Sequence, residues 1–278
     1  MEIMIDISRI ETDFSELDKV ELVMGEPFIL AVLWGGVTFE FFVHLRKDAS
    51  LLTIFGNGRC DRDRVRLPVF QRYSWASEID HSMIIWNDPT LYLGEIRVGW
   101  GQGTADRFYL EDVRAILDVM REKLNMTTKQ FLFAGSSAGG FTSLYLAGLM
   151  KGSRAFVNNP QTVVYNYYPF HLNMMYSASY PGFSREDIEA AYENRLSVVS
   201  FFREIRYVPS VFYLQNLAAK YDVQRHLKPF MTLFQDSEQL FQERTRVQFC
   251  FYFDAERGHN PLGKAEFLRY LHSYAMTV

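Results

Sequence analysis

The sequence predicts an α/β protein with a mostly parallel sheet. Three observations carry this: short apolar strand-like runs alternate with helix-periodic runs from about residue 81 onward, one such strand ends in a Gly-x-Ser-x-Gly turn, and a histidine stands in the loop after the last strand. Strands that alternate with helices need helical crossovers, and those give parallel pairing.

The opening stretch is β-rich. Val20–Val23, Phe28–Trp34 and Thr38–Leu45 are short, rich in branched and aromatic residues, and broken by Gly25, Gly35 and Gly36, which suggests an antiparallel meander. Leu51–Phe55 follows and runs into Gly56-Asn57-Gly58. His81–Trp86 is the next strand. Leu110–Leu124 carries Val113, Ile116, Leu117 and Met120 at helical spacing. Then come a strand over Gln130–Ala134, a helix over Phe141–Met150, and strands over Arg154–Val157 and Val208–Leu214. A helix over Val223–Leu233, a strand over Val247–Phe253 and a helix over Ala265–Ala275 close the chain. Residues 161–206 break the alternation. They hold Tyr165, Tyr167, Tyr168, Phe170, Tyr176 and Tyr180 and then a helix-like run from Ser184, whose partner Asp187 makes a start resembling a capping box. This segment reads as a helical cap inserted after a core strand, within a single domain spanning residues 1–278.

Composition narrows the function classes. The chain has 278 residues, is 48% hydrophobic and 22% charged, and carries a formal net charge of -4. That is enough apolar material for one large core, and a weakly acidic chain has no global field for nucleic acid. Cys60 and Cys250 fit no metal or redox spacing and read as unpaired thiols of a reducing compartment. The first residues are not read as a secretory signal, and no run approaches the ~20 apolar residues of a membrane span. The expectation is a cytoplasmic protein that needs no metal or cofactor.

The chemistry concentrates in Phe131-Leu132-Phe133-Ala134-Gly135-Ser136-Ser137-Ala138-Gly139. A buried strand enters the turn and a helix leaves it at once, which is the context a nucleophile elbow requires. The turn is sterically tight, so the residues two before and two after the nucleophile must be small. Gly135 and Gly139 satisfy this around Ser137, not around Ser136. The helix N-terminus aims backbone N–H groups at an oxyanion formed there, and the N–H of Ala138 is one donor. A second donor is expected after an earlier strand. Asn57 or Gly58 fits through its backbone N–H, Asn57 also through its side chain, and a plain turn is the alternative reading.

His259 lies in the loop between the last strand and the closing helix, where a general base belongs. His44, His81, His171, His226 and His272 sit in runs where a structural role is expected. Asp222, in the loop after the preceding strand, is the expected acid, with an N-cap role as its alternative and Asp254 and Glu256 as competitors. Trp100-Gly101-Gln102-Gly103 is too far from a dinucleotide fingerprint to bind a nucleotide and reads as a turn at the pocket rim. Trp100, Tyr167 and Tyr168 are the expected substrate-binding residues. For the aromatic cap, plain packing is the competing reading.

With the elbow, the histidine loop and the strand order in hand, the chain resembles the α/β-hydrolase superfamily over most of its length. The resemblance implies the assignment of Ser137, Asp222 and His259 to a triad. The Phe133–Leu144 run, the Trp86-Asn87-Asp88-Pro89 loop and the Trp100-Gly101 segment resemble a narrower group that includes the carbohydrate O-acetyltransferase-like protein of the bacterial accessory Sec system. That similarity implies acyl chemistry on sugars in the cytoplasm, with a homo-oligomer or a glycan-biosynthesis protein as partner. The oxyanion loop departs from the common pattern, with Gly56-Asn57-Gly58 in place of His-Gly. The leading expectation is a serine hydrolase of a small or carbohydrate ester. Alternatives are a carbohydrate O-acyltransferase with the same triad and a non-catalytic binding protein that kept the fold.

Overall fold

In the computed structural model, which describes residues 7–242 and 245–276 and, of residues 236–238, the backbone alone, nine strands form one sheet. They are β1 (Ser8–Asp13), β2 (Pro27–Trp34), β3 (Val37–His44), β4 (Leu52–Phe55), β5 (Ser82–Trp86), β6 (Phe131–Ser137), β7 (Arg154–Pro160), β8 (Ser210–Asn216) and β9 (Val247–Tyr252), in the order β1-β2-β3-β5-β4-β6-β7-β8-β9. β2/β3 and β3/β5 pair antiparallel; all other neighbours pair parallel.

The centre of the sheet is apolar on both faces because helices cover both. Ile54, Phe131, Phe133, Ala155 and Val157 point to one core, where they meet Val113, Ile116 and Leu117 of α1 (Tyr109–Lys123) and Phe141 and Leu144 of α2 (Ala138–Leu149). The alternate residues Phe55, Leu132, Ala134, Phe156 and Leu214 point to a second core. The closing helix fills that core with Phe267, Leu268, Leu271 and Tyr274. This is the period-two division expected of strands buried on both sides.

Four expectations about elements need correction. Val20–Val23 forms no strand; only Met24 bridges, to Leu45. The edge strand is instead β1, parallel to β2, and its mostly polar, exposed SRIETD sequence has no apolar face to betray it. The early strands are also not a simple meander, because β4 crosses β5 to lie against β6.

Residues 161–206 do interpose helices between β7 and β8, but as four short ones. These are α3 (Pro169–Ser179), α4 (Arg185–Ala191), α5 (Glu193–Leu196) and α6 (Val198–Ile205). The run expected from Ser184 is interrupted at Tyr192 and at Ser197, whose extended backbone (φ -140°, ψ 116°) restarts the helix with its hydroxyl accepting from the Ser200 N–H. Ser184 likewise caps α4, accepting from the Asp187 N–H. After β8 the short turn α7 (Lys220–Asp222) passes into a π-helical turn over Val223–Leu227 and then α8 (Lys228–Met231), not one regular helix. Pro229, which has no N–H to donate, stands just beyond the π turn. The final helix is α9 (Lys264–Ala275).

Candidate active site

β6 ends at Ser137, whose backbone (φ 56°, ψ -124°) lies in a region that non-glycine residues rarely occupy. Close backbone packing holds it there. A Cβ on Gly135 would meet the Gly139 carbonyl oxygen at 2.2 Å, and one on Gly140 would meet Pro160 Cβ at 2.6 Å. The sharp bend lifts the Ser137 side chain to the C-terminal edge of the sheet, directly before α2.

Ser137 Oγ lies 2.8 Å from Nε2 of His259, and His259 Nδ1 lies 2.6 Å from Oδ2 of Asp222. The Asp222 carboxylate is almost fully buried, at 6% exposure, whereas the imidazole is 36% exposed. The two sequence competitors point elsewhere. Asp254 Oδ1 accepts from the N–H groups of Glu256 and Arg257, and its other oxygen pairs with the Arg257 guanidinium at 3.1 Å. Glu256 is exposed.

The loop carrying His259 is pinned by asparagines at the ends of β7 and β8. Buried Asn216 donates to the carbonyls of Asp254 (2.7 Å) and Gly258 (2.8 Å) and accepts from the N–H groups of Asp254 and Ala218. Asn159 donates to the carbonyl of His259 itself at 3.1 Å, and Asn158 accepts from the Leu262 N–H at 2.8 Å. Sequence reasoning passed over these residues. Their only signal was polar asparagine at the end of otherwise apolar strands, where backbone loops need satisfying.

The Gly56–Gly58 loop packs against the elbow, but its groups are unequally free. The Asn57 side chain donates to the carbonyls of Val69 (2.6 Å) and Trp86 (2.9 Å) and accepts from the Gln71 N–H, so it braces the loop. The Gly58 N–H donates to Gln71 Oε1 at 2.8 Å. Among the described residues, the backbone N–H groups of Asn57 and Ala138 have no acceptor.

Trp100 and Tyr167 are buried, at 1% and 9% exposure, and meet edge to face at 5.4 Å. Trp100 Nε1 donates to Oε1 of Gln161 at 2.5 Å, and Gln161 Nε2 donates to Ser137 Oγ at 3.1 Å. Trp100 therefore reaches the site through Gln161 rather than as an exposed ring. Tyr168 is half exposed and stacks on Tyr221, with ring centroids 4.8 Å apart. Burial pushes His226 down to about 3; desolvation is the main cause, with the neighbouring His259, when protonated, and the Arg225 guanidinium adding to it. A groove of about 540 Å³ between Gly94–Ile96 and Phe170 and Met174 of α3 includes none of Ser137, His259 and Asp222.

The nine-stranded, mostly parallel sheet flanked by helices, with a strained strand-to-helix turn at Ser137, is the α/β-hydrolase fold. No family model matches the chain, and no curated protein matches it in sequence. Among solved structures it is similar to the capsule O-acetyltransferase of Neisseria meningitidis serogroup A, with a TM-score of 0.65 at 13% identity over 95% of this chain and 99% of that one. It is also similar to a chain of the glycosylation-associated Gap123 complex from Streptococcus agalactiae, with a TM-score of 0.58 at 14% identity over 92% of this chain and 47% of that one. A third similar structure is the PMSF complex of EstE5, with a TM-score of 0.55 at 13% identity over 94% and 88% of the two chains.

Proposed function

We propose that the protein is a serine acyl-transferring enzyme that cleaves a carboxylic ester through an acyl-enzyme on Ser137, with His259 as general base and Asp222 as its orienting acid. The observation that carries this is the continuous chain Ser137 Oγ–His259–Asp222, at 2.8 and 2.6 Å. Asp222 accepts a hydrogen bond from the Nδ1–H, which keeps that proton on Nδ1 and leaves Nε2 free to take the proton of the serine hydroxyl as Oγ attacks the acyl carbonyl. The backbone N–H groups of Ala138 and Asn57 stabilise the oxyanion. The Gly58 N–H drops out of this role because Gln71 holds it. His259 then protonates the departing alcohol, and water or a second alcohol releases the acyl group by the reverse steps.

A sugar hydroxyl as that second alcohol is the other reading. It is supported by the similarity, over nearly the whole of both chains, to a capsule O-acetyltransferase. A histidine-to-alanine mutant of that enzyme has also been solved in complex with CoA. Tyr168, exposed and backed by Tyr221, offers a face for a sugar ring. The chain reads as one catalytic domain with residues 161–206 as its cap. No helix among the described residues is long and apolar enough to cross a membrane, and Cys60 and Cys250 are both free. The free thiols fit a reducing, cytoplasmic compartment, and the Gap123 neighbour supports a glycosylation-associated protein partner.

Intact-protein mass spectrometry after exposure to p-nitrophenyl acetate and acetyl-CoA tests the proposal. An acetyl adduct is expected on wild-type protein and not on Ser137→Ala. Donor turnover that rises only when a saccharide is added assigns transfer; turnover indifferent to it assigns hydrolysis. A wild-type protein that neither acetylates nor reacts with a fluorophosphonate, under conditions that label an active control, has the fold without the chemistry.

A further inference from the structure

Gln161 contacts the nucleophile twice. It follows Pro160, the last residue of β7; its backbone N–H donates to the Ser137 carbonyl at 3.0 Å and its side-chain Nε2 to Ser137 Oγ at 3.1 Å. Which end of the amide faces the serine is decided by Trp100. An indole N–H can only donate, so the oxygen of Gln161 must face it, and the NH₂ is left for Oγ. Trp100 is itself held fast. It is buried with a positive φ of 51°, its ring lies against Tyr167, and the next residue, Gly101, donates its N–H to the buried carboxylate of Asp88 at 2.8 Å. Gln161 is fully buried, so water does not compete for its N–H.

A donor in this place acts differently on the two halves of an acyl transfer. In the resting enzyme Oγ donates its proton to His259 and accepts from Gln161. In an acyl-enzyme Oγ is the alkoxy oxygen of an ester, whose lone pair is delocalised into the carbonyl and accepts hydrogen bonds poorly. The Gln161 bond is thus stronger before acylation and after deacylation than between them. An interaction alters a rate only through the difference between ground and transition states. This one opposes attack by Oγ and favours its departure.

We infer that Gln161, oriented by Trp100, is a catalytic residue that stabilises Ser137 Oγ as a leaving group, and so shortens the life of the acyl-enzyme; the inference rests on the reading of Ser137 as nucleophile. In the step concerned, water or an acceptor hydroxyl attacks the acyl carbon and gives its proton to His259. The carbon–Oγ bond then breaks, and His259 passes that proton to Oγ while the Gln161 N–H regains its bond to it. Trp100 is the positioning residue, because it prevents the amide from turning its oxygen toward Oγ.

The test is the pre-steady-state reaction of the full chain with p-nitrophenyl acetate, together with the rate of fluorophosphonate labelling, which requires attack by Oγ but not its departure. In Gln161→Met, deacylation is expected to fall roughly fivefold to tenfold, the worth of one hydrogen bond. Acylation and labelling should be no slower than in wild type, so a burst of nitrophenol appears or grows. Trp100→Phe leaves Gln161 in place and should shift the same ratio in the same direction by less. Acylation and deacylation slowed by one common factor, or a ratio unchanged in both variants, overturns the inference while leaving Ser137 as nucleophile. A wild-type protein that does not label at Ser137 overturns both.

Discussion

A Cβ placed on Gly139 would lie 2.3 Å from the carbonyl oxygen of Gly56, so the first turn of α2 and the loop after β4 touch backbone to backbone. Neither partner is a flexible side-chain end that could swing aside. The contact sets the distance between the Asn57 and Ala138 N–H groups, the two proposed oxyanion donors. Gly139→Ala should therefore push the loop away, at an overpacking cost of about 1–3 kcal/mol. The expected outcome is a lowered urea midpoint and at least a tenfold loss of kcat/KM toward p-nitrophenyl acetate.

Asp222→Asn tests which carboxylate serves His259. An amide there would present its N–H to Nδ1 and hold the imidazole in the tautomer whose Nε2 cannot accept the serine proton. A fall in kcat on the order of 10⁴ is expected with little change in KM, by analogy with the same change in serine proteases. Glu256→Gln, at an exposed position, should stay within about twofold of wild type. Comparable losses in the two variants would move the acid assignment.

Asn216→Ala removes four hydrogen bonds to backbone groups of two loops. Stranded buried groups cost about 1–3 kcal/mol each, partly recovered where the loop relaxes toward water. Equilibrium unfolding should show a loss of about 2–4 kcal/mol. Because His259 rides on that loop, kcat should fall at least tenfold even at temperatures where the variant is fully folded.

His226 sets an acid limit. It is fully buried, neither ring nitrogen has a hydrogen-bond partner among the described residues, and burial lowers its pKa from 6.5 to about 3. His81, half-buried and desolvated, is lowered to about 4. In the unfolded chain both take up protons near the ordinary histidine value, so the unfolded state binds more protons throughout this window. Their share of stability is intact above about pH 6.5 and drains away as pH falls, down to about 4 for His81 and about 3 for His226. Urea midpoints at pH 7.5 and 5 should differ accordingly, and His226→Phe should reduce the difference; an equal pH dependence in the variant would remove His226 from the account.

Tyr168 separates sugar stacking from packing. Its ring is half exposed, so Tyr168→Ala should leave the urea midpoint nearly unchanged and raise KM for a saccharide acceptor severalfold. Tyr167→Ala, which empties a buried site beside Trp100, should instead cost about 3–5 kcal/mol of stability, as large-to-small aromatic changes do. An unchanged KM in Tyr168→Ala would return the cap aromatics to a packing role.

The sequence by itself determined what is local. The elbow is legible because a strand, a bend with small residues at fixed offsets and a helix follow within a dozen positions, and steric exclusion acts at that range. The central strands are legible because burial on both faces leaves continuous apolar runs, as at Phe131–Ala134. β1 is not, because an exposed edge strand needs no apolar pattern. Only the tertiary structure decided which of Asp222, Asp254 and Glu256 meets His259, that Gln71 occupies the Gly58 N–H, that Asn158, Asn159 and Asn216 hold the histidine loop, and that Trp100 turns Gln161 toward Ser137. Each of these is a hydrogen bond between residues distant in sequence. Such a bond depends on where strand register and loop path bring two polar atoms within about 3 Å, a distance that no local pattern of residue types encodes.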